Sequence, residues 1–146
     1  MPTLTTAKYA SKNDIKRKEL GREPTIKAIL SKKSHWTDKE RRQAYLEASI
    51  EQGIAWQIKL NREAREWSQK ELAKRIGTHQ SAISRIEDPE YGGYRIETLL
   101  KIANAFDCAL KIKFVEYSEL AVESQKLSEL DQIAAPFTAE LEIFSG

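Results

Sequence analysis

Apolar residues between Thr37 and Glu66 recur at helical spacing, with Tyr45, Leu46, Ile50, Ile54 and Ile58 forming one stripe. The run T-D-K-E at Thr37–Glu40 has the form of a capping box, so a helix is expected from there to Glu66, in one piece or in two meeting near Gly53. Ser68 and Glu71 repeat the box and start a second helix at Gln69, with Leu72, Ala73 and Ile76 on one face. Gly77 can take the left-handed backbone that ends this helix, and Thr78 is placed to cap the next. There Ala82, Ile83 and Ile86 turn inward, while His79, Gln80, Ser81, Ser84 and Arg85 stay outside. Pro89 stops that helix, and Gly92-Gly93 allows close approach of the backbone to another group. A fourth helix over 96–106 turns Leu99, Leu100, Ala103 and Phe106 to the same core, with Arg95 where a cap belongs. Trp56 and Trp67 read as packing residues.

Past Asp107 the period changes. In ALKIKFVEY, residues 109–117, Leu110, Ile112 and Phe114 face one way and Lys111 and Lys113 the other, the alternation of a strand. A lone strand needs a partner. Two are available: the same strand of a second subunit across a two-fold axis, or the alternating AELEIF of residues 139–144, whose Glu140 and Glu142 would oppose the lysines. Between them, residues 118–134 form an imperfect helical stripe of Leu120, Val122, Leu127, Leu130 and Ile133. The first 33 residues have no periodic apolar face and read as an arm that is disordered when free.

Two short helices broken at a glycine, with a polar outer face on the second, form a helix-turn-helix. The motifs WSQKELAKRIG, THQSAISRIE and IETLLKIANAF stand here in an order and spacing that resembles the lambda-repressor-like, or Xre, family, from Ile50 to about Val115. The resemblance implies a five-helix bundle that binds double-stranded DNA as a homodimer on a palindromic operator, usually as a repressor. The expected fold is therefore mainly α: a five-helix lambda-repressor-like bundle with a C-terminal β-strand extension, Leu110, Ile112 and Phe114, used in dimerisation. Three regions follow: a basic arm over 1–36, the DNA-binding domain over 37–107, and an acidic extension over 108–146 for dimerisation or a partner protein.

The same resemblance assigns residues. Gln80, Ser81 and Arg85 match positions that meet base edges; glutamine suits adenine and arginine suits guanine. Gln69, Lys70, Thr78, His79 and Ser84 fall at backbone-contacting positions. Arg62 and Glu87 match a structural ion pair that fixes geometry more than it adds stability. The segment DPEYGGYR departs from the family's short polar loop; it either offers Tyr91, Tyr94 or Arg95 to a phosphate or is a flexible loop that makes no contact.

Charge sharpens this picture. The net charge of +2 is weak evidence for nucleic acid, but residues 1–36 carry nine basic against three acidic side chains, while residues 96–146 carry four against nine. A basic arm of this kind either adds salt-sensitive affinity along phosphates or in a minor groove, or is a solvated tail whose charge only keeps it soluble. The single Cys108 fits a reducing compartment, no leader pattern is evident, and no apolar run spans a membrane, so a cytoplasmic, nucleoid-associated protein of bacterial or phage type is expected. His35, His79 and Cys108 lack metal-site spacing, and no phosphate loop or nucleophile–base pair stands out, so neither enzyme nor cofactor is expected. Two classes remain: a repressor, or an antitoxin-like regulator that binds a partner through its C-terminal segment and autoregulates through its helix-turn-helix.

Overall fold

The computed structural model describes residues 30–31, 34–125 and 128–145. Expectations for residues 1–29, 32 and 33 of the basic arm, and for Leu127, lie outside them. The described residues divide into two compact units: one takes those up to residue 43 with 114–125, the other takes 44–113 with 128–145.

The helices are α1 (Ser34–Thr37), α2 (Lys39–Ala64), α3 (Gln69–Ile76), α4 (Gln80–Ile86), α5 (Ile96–Phe106), α6 (Tyr117–Ser124), α7 (Glu129–Gln132) and α8 (Phe137–Phe144). In the larger unit, Ile58 of α2, Leu72 and Ala73 of α3, Ile83 and Ile86 of α4, and Ile102 and Phe106 of α5 form the buried core. Leu72 and Ile83 are completely enclosed. Trp67 packs on this core and stacks with Phe106, ring centroids 5.9 Å apart, so it is a packing residue.

Local chemistry explains the boundaries. Ser68 Oγ accepts the Glu71 N–H at 3.0 Å and starts α3. Gly77, at φ 75°, ends it, and the Thr78 N–H reaches back to the Ala73 carbonyl at 2.8 Å. That bond commits Thr78 to closing α3. The residue preceding α4 is His79, not Thr78, and it makes no side-chain capping bond. At the other end, α2 starts at Lys39: the Glu40 N–H is met by Asp38 Oδ1 at 3.3 Å, and Thr37 instead ends α1. It then runs unbroken through Gly53. On its apolar side Ala55 and Ile58 are buried, but Ile50 is half exposed. In α5 the inward residues are Ile102, Ala103 and Phe106, and Leu100 turns out to solvent.

The smaller unit is built around Trp36. Its ring meets Tyr117 edge-on at 6.3 Å, and Arg42 lies over Tyr117 while donating to the Trp36 carbonyl at 3.0 Å. Ala121 and Val122 of α6 are buried.

The C-terminal region differs most from expectation. Among the described residues there is no strand: residues 109–116 are irregular, and Ile112 and Phe114 are exposed. The alternation of ALKIKFVEY had no backbone partner among the described residues to convert it into a ladder. The anticipated partner, residues 139–144, belongs to α8, because including Phe137 places Phe137, Leu141 and Phe144 at helical spacing behind Pro136. The helix expected over 118–134 is two short ones, α6 and α7. Ser128 starts α7 afresh, accepting the Asp131 N–H at 3.3 Å while its hydroxyl donates to that carboxylate at 2.7 Å. The five-helix count does not hold: among the described residues there are eight helices, α7 and α8 being further helices of the larger unit.

Candidate nucleic-acid interface

The interface is built on the side of α4 away from the core. Ile83 and Ile86 are buried, so geometry at 3.6 residues per turn sends Gln80, Ser81, Ser84 and Arg85 outward, and all four are exposed. His79 is exposed just before them, and Lys70 is exposed on α3. The three expected base-reading residues, Gln80, Ser81 and Arg85, thus share one uncovered face with Ser84.

What fixes that face is an ion-pair network behind it. Arg62 donates from Nε to both oxygens of Glu87, at 3.0 and 3.1 Å, and from Nη2 to Oε1 at 2.8 Å. Its Nη1 donates to the Trp67 carbonyl at 2.8 Å, closing the turn into α3. Side-chain exposure is 10% for Arg62 and 4% for Glu87, so the pair is largely withdrawn from solvent. Gln69 joins it, its amide donating to Glu87 Oε2 at 3.1 Å. The first residue of α3 is therefore tied to the end of α4. One amide hydrogen of Gln69 is spent on this tie, and the amide carries a second.

The DPEYGGYR loop is braced rather than loose. Asp88 Oδ1 accepts the Glu90 N–H at 2.9 Å, and the Asp88 carbonyl accepts the Tyr91 N–H at 3.0 Å. Gly92 and Gly93 follow at φ 61° and 66°, and a Cβ on Gly92 would lie 3.0 Å from Glu51 Oε1. The Tyr94 hydroxyl donates to the Ile86 carbonyl at 2.8 Å, satisfying the end of α4. Burial, then the Glu51 and Asp88 carboxylates, push the Tyr94 phenol up and keep it a donor. Having given its hydrogen inward, Tyr94 holds the loop and is not a ready phosphate donor. Tyr91 is half exposed, and the Arg85 guanidinium lies over its ring at 5.9 Å. A groove of about 370 Å³ opens here, with Thr78, Arg85, Tyr91, Arg95 and Lys101 among its walls. Lys101, one turn beyond Thr98 on α5, was not singled out by sequence pattern.

Two further residues were missed. Asn61 is buried, and its amide nitrogen donates to the Gln57 and Gln132 carbonyls at 2.8 and 2.7 Å, while its oxygen accepts the Ala134 N–H at 2.8 Å. Arg65 donates to the Phe106 carbonyl at 2.6 Å, to Ala134 at 2.9 Å and to Asn61 at 3.0 Å, with its guanidinium 4.7 Å from the Phe106 ring. Burial holds Arg65 below its ordinary value, opposed by Cys108 and Asp107. Together they clasp the 132–134 backbone to α2. Their polarity in a helical pattern gave no sign of a distant partner.

Leu110, Ile112 and Phe114 are exposed and form no strand. No helix among the described residues is long and apolar enough to cross a membrane. No curated protein and no solved structure matches the chain. Residues 58–112, under half of the chain, match the helix-turn-helix family model, of the Xre, lambda-repressor-like type.

Proposed function

We propose that the protein is a sequence-specific transcriptional regulator that acts in the cytoplasm as a dimeric repressor on a two-fold symmetric operator. The observation that carries this reading is the uncovered polar face of α4, held on a buried apolar seam and squared against α3 by the Arg62–Glu87–Gln69 network. A helix so presented fits the major groove. Gln80 and Arg85 read bases, with Ser81 between them. Lys70, His79, Ser84 and the second amide hydrogen of Gln69 meet phosphates. Arg95 and Lys101 line the neighbouring groove, where a strand of duplex backbone would pass. No step of chemical conversion and no cofactor enters this reading.

The test is selection of bound duplexes from a random pool, followed by measurement with Arg85→Ala and Gln80→Ala. Arg85→Ala is expected to cost about 1–3 kcal/mol on the selected site and to relax preference at one base position. A pool that yields no preferred sequence, or an Arg85→Ala protein with unchanged preference, would overturn the assignment.

A second reading, an antitoxin-like regulator that sequesters a basic partner protein, is favoured by one feature: the acidic, exposed α8. A basic partner that binds the intact chain but not a chain ending at residue 117 would favour it.

A further inference from the structure

Around the end of α5 the larger unit sends out two apolar segments of opposite charge. The Phe137 N–H donates to the Asp107 carbonyl at 2.8 Å, so α8 starts beside the point from which residues 108–113 depart. In α8, Phe137, Leu141, Ile143 and Phe144 are 55%, 53%, 69% and 83% exposed. Leu110 and Ile112 of the departing segment are 37% and 66% exposed. So much apolar surface from one end of a small unit exceeds the scattered exposure that needs no explanation. Residues 128–145 carry Glu129, Asp131, Glu140 and Glu142 with no basic side chain, whereas residues 109–113 carry Lys111 and Lys113 with no acidic one.

We infer that these two segments are the halves of a reciprocal interface between two copies of this chain: α8 of each covers residues 110–113 of the other. Two-fold symmetry requires a self-complementary surface, and an apolar acidic helix next to an apolar basic segment is one. Glu140 and Glu142 then oppose the other copy's Lys111 and Lys113, twice. The clasp of Asn61 and Arg65 on residues 132–134 makes the interface mechanically useful, since it fastens the chain leading into α8 to the unit that presents α4. The inference supplies the dimer contact for the function proposed above and rests on that reading for its purpose, but its test needs no DNA.

The experiment uses two full-length charge-reversed proteins, K111E/K113E and E140K/E142K, with mass measured by sedimentation over a range of concentrations and folding monitored by circular dichroism. The native chain is expected to dimerise. Each variant alone places like charges opposite each other at both contacts and should dissociate at a concentration about ten-fold or more above that of the native chain. Mixed in equal amounts, they regain opposite charges at both contacts and should form a one-to-one heterodimer of near-native stability. Pairing of residues 109–117 strand to strand would leave K111E/K113E opposing unaltered lysines in the mixture and E140K/E142K unaffected alone, which overturns the inference. A native chain that stays monomeric, or a mixture no tighter than its components, also overturns it. An unperturbed helix-turn-helix with no DNA preference would instead remove the functional reading and leave the dimer standing.

Discussion

At the scale of single residues, the domain's geometry depends on a charge that has little water around it. Glu87 receives three hydrogen bonds from Arg62 and one from Gln69. Glu87→Ala strands the Arg62 guanidinium in a site where it cannot be rehydrated, an expected loss of about 3–5 kcal/mol. Urea unfolding measures it, and a loss below about 1 kcal/mol would mean that water reaches Arg62. Cys108 gives a prediction in pH. Burial pushes its thiol up, Arg65 pulls it partly back, and Asp107 adds to the rise. An unfolded thiol therefore ionises first. Any stability owed to this group is complete below the ordinary thiol range and declines as pH climbs through the raised value. Alkylation of the native protein should lag that of the urea-unfolded chain at pH 8, with the gap narrowing as pH rises further. A ratio of native to unfolded rates that stays flat with pH would contradict the shift. The ion pair was legible because two charged residues stand at positions defined by the motif. The Cys108 environment was not, because it comes from where Asp107 and Arg65 meet in space.

At the scale of elements, the clasp between α2 and residues 132–134 sets how firmly the acidic segment is held. The side-chain amide of Asn61 meets this backbone as a neighbouring strand residue would, giving one hydrogen bond and accepting another. Asn61→Leu removes both and leaves a part-buried carbonyl and N–H to find water instead, a cost of at most about 1–3 kcal/mol for each group left unsatisfied. Hydrogen exchange should then show the Ala134 amide released while the amides of α3 and α4 keep their protection. Loss of protection throughout would mean that the clasp belongs to the global folding unit. The short helices α3, α4 and α5 could be read from the sequence because each has an apolar face, and at α3 a cap and a positive-φ glycine coincide with that face. Residues 109–117 and 139–144 could not, since alternation over so few positions fits a strand only where another backbone is at hand. What decides between strand and helix there is Phe137 and Pro136, just outside the alternating window.

At the scale of the whole molecule, charge is separated along the chain, and that separation has a measurable consequence on DNA. The helix-turn-helix region is nearly neutral, with eleven basic against ten acidic side chains over residues 37–95, so under the proposed function the surface of α4 would supply selectivity more than bulk attraction. The positive excess lies in residues 1–36, and the negative excess follows residue 96. Each phosphate neutralised by a cationic side chain contributes about 0.9 to the slope of log K against log salt. Removing residues 1–29, which hold seven of the lysines and arginines, should therefore lower the slope by the number that engage phosphates, up to about six. It should weaken selected and random duplexes alike, because phosphate contacts carry no base information. Arg85→Ala makes the contrasting case: a slope lowered by at most about one, with the loss concentrated on the selected duplex. Titrations of both proteins on both duplexes at several salt concentrations separate the two effects. If the shortened protein keeps the full slope, the arm's charge is unused and the groove beside Arg95 and Lys101 must bear the electrostatics alone; Lys101→Gln would then take the larger share of the salt dependence.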